Sequence, residues 1–187
     1  MQENTMQRLF ILAALALILA ACNLNRSDSE PTATRVPDPN SAETPTDQTE
    51  DRILIYLIAL EDNGASGEMI GCNDSLIPVE RVIGLPDRVD AQISAALNEL
   101  FSIRDQYYGE SGLYNSLYQS KLTVDSVTID EAGQATVNLA GTHSLSGVCD
   151  NPRFQAQIER TVGQFEGVTS VAVFINGTSL ADIVSGQ

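Results

Sequence analysis

The chain has 187 residues, of which 43% are hydrophobic and 19% charged; this suits one globular domain of about 100 to 200 residues with an appendage. It carries 25 acidic residues against 10 basic ones, a formal charge of −15, and Lys121 is the only lysine. That balance argues against sequence-independent nucleic-acid binding, which needs surplus Lys and Arg to displace counterions, and it excludes a polybasic membrane patch.

Leu9 to Ala21 is an unbroken apolar run of 13 residues. A bilayer-spanning helix needs about 20, so residues 1–21 read as an export signal with a short apolar core. The run ends in Leu19-Ala20-Ala21-Cys22, which resembles the lipobox of bacterial lipoproteins. That resemblance implies cleavage before Cys22 and alkylation of its thiol with diacylglycerol, a membrane anchor. The other reading is a small-residue signal-peptidase site that happens to precede a cysteine. Glu3 cancels Arg8, and a start at Met6 would restore a positive leading segment. Residues 22–51 follow, rich in Ser, Thr, Pro, Asp and Glu, with Leu24 and Val36 as the only sizeable apolar side chains. Such a composition cannot offset the entropy of ordering, so an extended, disordered, acidic tether is expected.

Residues 52–187 carry the folded domain. Ile53 to Leu60 is a continuous apolar run of strand length, predicting a central strand buried on both faces. Glu61 to Gly67 reads as a loop. Leu76 to Ile83 reads as a second strand that Pro78 places at an edge or a bulge. Asp87 is expected to cap a helix, with Asp90 also near the positive end of its dipole. Along that helix Val89, Ile93, Ala96, Leu97 and Leu100 share the core face, and Ser94, Asn98 and Ser102 point away. Leu122 to Leu139 predicts a hairpin around Asp130-Glu131-Ala132-Gly133. Leu122 and Val124 are out of phase with Val127 and Ile129, which predicts a bulge near Asp125. Asn151 is expected to cap a second helix with Pro152 at its first position and Phe154, Ile158, Val162 and Phe165 as its buried stripe. Val171 to Ile175, after Gly167, predicts another doubly buried strand closed by Asn176-Gly177. The order is β-β-α-β-β-α-β, an α/β (α+β) single domain with two helices packed on a mixed sheet.

Its last five elements, α-β-β-α-β, resemble the ring-building motif of secretion and sporulation assemblies. At residue level the chain is more similar to the GerMN domain of spore germination and sporulation. The segments that carry this are Ala95-Ala96-Leu97-Asn98-Glu99-Leu100, Gly112-Leu113-Tyr114, Leu122-Thr123-Val124-Asp125-Ser126-Val127, Ala135-Thr136-Val137-Asn138-Leu139 and Thr161-Val162-Gly163-Gln164-Phe165-Glu166-Gly167-Val168. The resemblance spans about Ile53 to Leu180. It implies a scaffold or assembly role in the cell envelope through contacts with other envelope proteins. The sporulation protein carries two such domains where this chain has one, and Gly71-Cys72-Asn73-Asp74-Ser75 is not assigned to the family pattern.

Few residues carry chemistry. Cys72 and Cys149 remain after Cys22, and an even pair in an exported protein reads as a disulfide. Closing about 78 residues would stabilise the fold by roughly 4 kcal/mol. Free thiols are the alternative, as is a metal site of Cys72, Cys149 and His143, for which no fourth ligand is spaced. His143 is the only histidine and reads as a loop residue, since no G-x-S-x-G stretch offers a nucleophile. Glu61-Asp62 and Asp130-Glu131 sit at expected turns. No cofactor is expected.

Tyr107, Tyr108, Tyr114 and Tyr118 are four of the five tyrosines and fall within 12 residues. Aromatics with polar tips on an irregular segment suit a recognition surface for protein or glycan; the alternative is that they pack the segment against the sheet edge. The sequence thus leads to a membrane-anchored, extracytoplasmic, non-enzymatic module whose partners are the bilayer, through its lipid, and other envelope proteins. The alternatives are a glycan- or peptide-binding lipoprotein and, more remotely, an envelope hydrolase.

Overall fold

The computed structural model describes residues 52–186. The expected signal segment, the expected lipidation site Cys22 and the expected tether over residues 22–51 lie outside the described residues.

The apolar run opens the domain as β1 (Arg52–Ala59). Ile53, Ile55 and Leu57 are fully buried while Leu54 and Tyr56 are half-buried, so one face enters the core and the other is partly covered. β1 pairs antiparallel with β3 (Ser75–Val82) along its whole length, from Arg52 opposite Val82 to Ala59 opposite Ser75. Short strands complete this sheet: β2 (Glu68–Met69), β4 (Tyr107–Tyr108) and β5 (Leu113–Tyr114), in the order β2-β3-β1-β5-β4. Pro78 stands opposite Tyr56. The Tyr56 carbonyl bonds a side chain on the other edge of β1, so by the alternation of antiparallel pairs Pro78 also turns its backbone away from β1, and its missing N–H costs no ladder bond there.

The second sheet holds the hairpin of β6 (Lys121–Ile129) and β7 (Gln134–Thr142), then β8 (Ser170–Ile175) and β9 (Thr178–Ser179), in that spatial order. The β7–β8 pair is parallel and the others antiparallel, so the sheet is mixed. The register of the hairpin shifts between Val124 and Ser126, the bulge that the phase break in the sequence predicts. Gly141 is required by close approach: a Cβ there would lie 1.9 Å from the Lys121 carbonyl oxygen, and its φ is +122°. β8 buries Val173 and Ile175 and half-buries Val171 and Phe174, so it is not fully covered on both faces as expected.

Three helices fill the space around the sheets: α1 (Val89–Ser102), α2 (Asp150–Val162) and α3 (Leu180–Ser185). α1 packs on β6 and β1, and α2 on β1 and α1. Ile93, Ala96, Leu97 and Leu100 of α1, Phe154, Ile158 and Val162 of α2, and Val137 and Leu139 of β7 join β1 in one continuous core. The seven principal elements therefore run in the expected order, with the strands divided between two sheets.

Both helix starts differ from the expectation. Arg88, extended at φ −96° and ψ 134°, holds the cap position of α1, not Asp87, and it makes no side-chain cap. Its guanidinium instead clamps Asp90 at 3.0 and 2.7 Å, holding that carboxylate at the first turn. α2 begins at Asp150 with Cys149 before it. Asn151 is not its cap because the amide Nδ2 donates to the Val184 carbonyl of α3 at 2.6 Å. Pro152 falls within the first turn, where a missing N–H loses no intrahelical bond. α3 was not expected, yet Ser179 caps it: its Oγ accepts from Asp182 N at 3.1 Å and donates to Asp182 Oδ2 at 2.7 Å.

Candidate functional site

Two acidic side chains lie deep in the domain, Asp74 at 0% and Asp150 at 3% exposure. Arg153, one turn into α2, stands between them. Its Nε donates to Asp74 Oδ2 at 2.6 Å and its Nη1 to Asp150 Oδ1 at 3.2 Å. Two carboxylates around one guanidinium persist in a dry site only where the remaining oxygens are also bonded. Glu61 N donates to Asp74 Oδ1 at 2.9 Å, Ser146 N to Asp150 Oδ2 at 2.9 Å, and the Tyr114 hydroxyl to Asp150 Oδ1 at 3.0 Å. The Arg153 guanidinium also sits 5.3 Å from the centre of the Tyr114 ring.

Burial pushes the Tyr114 hydroxyl well above its usual range, and the Asp150 charge adds to this, so it stays a proton donor. Burial alone would lower Arg153, but the hydrogen bonds it donates to Asp74 and Asp150, together with their charges, outweigh this and hold the guanidinium charged. Cys72 and Cys149 are joined, with 5.7 Å between their Cα atoms. Each half-cystine precedes one of the acids closely, so the bridge holds together the two chain segments that carry them. The groups of this cluster saturate one another, and it acts as a clamp between β3, β5 and the start of α2.

A second polar hub lies beside the clamp. Gln157 of α2 is fully buried. Its Oε1 accepts from Ser116 N at 2.9 Å and Ser116 Oγ at 2.6 Å, and its Nε2 donates to the Tyr56 carbonyl at 2.7 Å. One amide thus ties the segment after β5 to the unpaired edge of β1. Asn115 Nδ2 donates to the Ile103 carbonyl at 3.0 Å, fixing the same segment to the end of α1.

The four tyrosines divide on this scaffold. Tyr114 is 5% exposed and belongs to the clamp. Tyr108 is half-buried and its hydroxyl accepts from Arg81 Nη1 at 2.9 Å. Tyr107 is 47% exposed on β4, the outermost strand of its sheet. Tyr118 is half-buried. Tyr107 and Tyr118 each meet the Tyr114 ring in T-shaped contact, with centroids 6.0 and 6.3 Å away. A partner on this face therefore meets Tyr107 and Tyr118, with Tyr114 as their backing.

His143 is exposed and does not join the cysteines, whose sulfurs are spent on each other. Among the described residues no three metal-ligating side chains gather, and no helix is long and apolar enough to cross a membrane. Asp62 accepts from Ser75 Oγ at 2.6 Å and Ser66 N at 2.7 Å, and these bonds, the serine hydroxyl foremost, hold its carboxyl below the usual range. Asp130 accepts from Ala132 N and Gln134 N in the hairpin turn. Both acids serve their turns. Two open cavities flank β6: one of about 550 Å³ against the start of α1, near Asp87 and Asp90, and one of about 330 Å³ beside Arg104, Tyr118 and Lys121.

The sequence reasoning missed Asp74, Asp150, Arg153 and Gln157. A signal was present for the two acids: Asp74 follows Cys72 by two residues and Asp150 follows Cys149 directly, so pairing the cysteines brings the carboxylates together.

Residues 55–181 match the family model Germane, described as sporulation and spore germination. The chain is similar to a structure of the tandem GerMN domains of the sporulation protein GerM from Bacillus subtilis, at 22% identity and a TM-score of 0.47, over 69% of this chain and 40% of that one. It is also similar to the first GerMN domain of the same protein, at 16% identity and a TM-score of 0.45, over 68% of this chain and 85% of that one. The chain thus spans well under half of the tandem structure. No curated protein matches it.

Proposed function

The chain belongs to the Germane family of sporulation and spore germination, and on that premise we propose that it is a lipid-anchored, non-enzymatic assembly module of the cell envelope. In this reading Cys22 carries the lipid, residues 22–51 hold the domain away from the bilayer, and residues 52–187 bind other envelope proteins. The observation that carries it is the exposed Tyr107 on the outermost strand of a sheet, backed by the Tyr114 ring that Asp150 and Arg153 hold in place. A sheet edge offers unpaired backbone groups to a partner, and an aromatic anchor on a rigid base loses little entropy on binding. Tethering to a shared membrane raises the effective concentration of neighbours, so that weak contacts suffice.

The test has two arms. Cys22→Ser should abolish acyl labelling and leave an unprocessed precursor. Tyr107→Ala should reduce recovery of envelope partners from membranes about tenfold at an unchanged melting temperature. Unchanged labelling in the first arm contradicts the anchor, and unchanged recovery in the second contradicts the tyrosine edge.

A further inference from the structure

In so acidic a chain each cation is expected to find a carboxylate, and most of those among the described residues do. Arg52 pairs with Glu80, Arg81 with Glu99, Arg88 with Asp90, Arg153 with Asp74 and Asp150, and Arg160 with Glu68. Among the described residues only Arg104 and Lys121 form no ion pair, and both line the same cavity of about 330 Å³. No carboxylate lines it. Arg104 comes from the segment after α1 and Lys121 from the start of β6, so the fold brings the two cations together from separate elements.

The site is held in shape. Arg104 Nη1 donates to the Ser120 carbonyl at 2.6 Å, which fixes the guanidinium and leaves the rest of its fork free. Gln119 donates from Nε2 to the Tyr118 hydroxyl at 2.9 Å and accepts from Ser144 Oγ at 3.1 Å, bracing the ring that forms part of the wall. Ser120 Oγ accepts from Ser144 N at 3.0 Å beneath it. The cavity therefore joins two unneutralised cations, an aromatic ring and amide and hydroxyl groups, within the size range of small-molecule sites of roughly 300 to 1,000 Å³.

We infer that this cavity binds a phosphorylated sugar unit of an envelope glycan. Two cations without acid partners match a phosphate monoester of charge about −2 better than a single carboxylate. The half-buried Tyr118 in the lining supplies apolar surface for the carbons of a pyranose, and the exposed Thr123 and Gln119 side chains suit its hydroxyls. The cavity shares Tyr118 with the tyrosine face, and the envelope source of the glycan rests on the proposed location. Arg104 and Lys121, however, belong to the cavity and not to the Tyr107 strand, so their variants test the site apart from the assembly reading.

Calorimetric titration of the full-length chain in detergent with glucose 6-phosphate, glucose and inorganic phosphate tests this. Glucose 6-phosphate should bind saturably, and glucose and inorganic phosphate at least about tenfold more weakly. Arg104→Gln and Lys121→Gln should each weaken glucose 6-phosphate about tenfold, the loss of one charge-assisted bond, and Tyr118→Ala should reduce its advantage over inorganic phosphate. Equal binding of inorganic phosphate, unaltered binding by the Arg104 and Lys121 variants at unchanged melting temperature, or no saturation with glucose 6-phosphate each overturns the assignment. A Lys121→Gln chain that loses the sugar phosphate but keeps its envelope partners separates this site from the assembly surface.

Discussion

The side-chain amide of Gln164 accepts from Leu54 N at 2.6 Å and donates back to the Leu54 carbonyl at 2.6 Å, taking the place of a strand partner that β1 lacks at that point. Gln157 does the same for the Tyr56 carbonyl, and at Ile58 the edge passes to Tyr114 of β5. The second edge of β1 is thus completed in turn by two glutamines and a short strand. Replacing Gln164 with Leu should strand one half-buried donor and one half-buried acceptor and lower unfolding stability by about 1–2 kcal/mol. Gln164→Glu, able to accept but not to donate, should fall between. Urea titration reads both, and an unchanged midpoint for Gln164→Leu would show that water serves this edge as well.

Arg153 separates two buried carboxylates. Removing its charge leaves both without a counterion, so Arg153→Met should cost about 3–5 kcal/mol. Tyr114→Phe, which removes one hydrogen bond to Asp150, should cost about 1–2 kcal/mol. A smaller loss for Arg153→Met than for Tyr114→Phe would mean that the aspartates find other partners.

The raised Tyr114 hydroxyl has a consequence for pH. Its folded value lies above the unfolded value of 10.0, so above that pH the folded state holds a proton that the unfolded state releases. The stabilisation is complete below pH 10 and declines as the pH rises beyond it. The melting temperature of the parent chain should therefore drop above pH 10, and more steeply than that of Tyr114→Phe. Parallel curves for the two proteins would contradict the account.

Cys72 and Cys149 are 77 residues apart in sequence, and closing a loop of that length restrains the unfolded chain. The double replacement Cys72→Ser with Cys149→Ser should lower stability by about 3–4 kcal/mol, somewhat less if the unfolded state keeps structure. Peptide mapping of non-reduced, exported protein should recover the two cysteines linked; quantitative alkylation of both thiols without reductant is the opposing result.

What the sequence disclosed follows from how local each signal is. The core stripe of α1, from Ile93 to Leu100, and the bulge beside Asp125 rest on spacing within a few residues, and both were legible. The Ser179–Asp182 cap was equally local and could have been read, since Ser-x-x-Asp before Ile183 is a helix start. Gln157 and Gln164 were not legible. Their bonds to Tyr56 and Leu54 cross 101 and 110 residues and depend on where α2 lies against β1. The tyrosine cluster stood out by composition, but only packing against Asp150 and Arg153 separates the buried Tyr114 from the exposed Tyr107.

The measurement that bears most directly on the proposed role is photo-crosslinking in intact cells with a photoreactive amino acid in place of Tyr107. The same probe at the exposed Glu131, in the turn between β6 and β7, serves as the reference. The account predicts a discrete adduct with another envelope protein from position 107, little or none from position 131, and loss of the adduct when Cys22→Ser is added. Equal, diffuse labelling from both positions, or an adduct that persists without the Cys22 anchor, would contradict it.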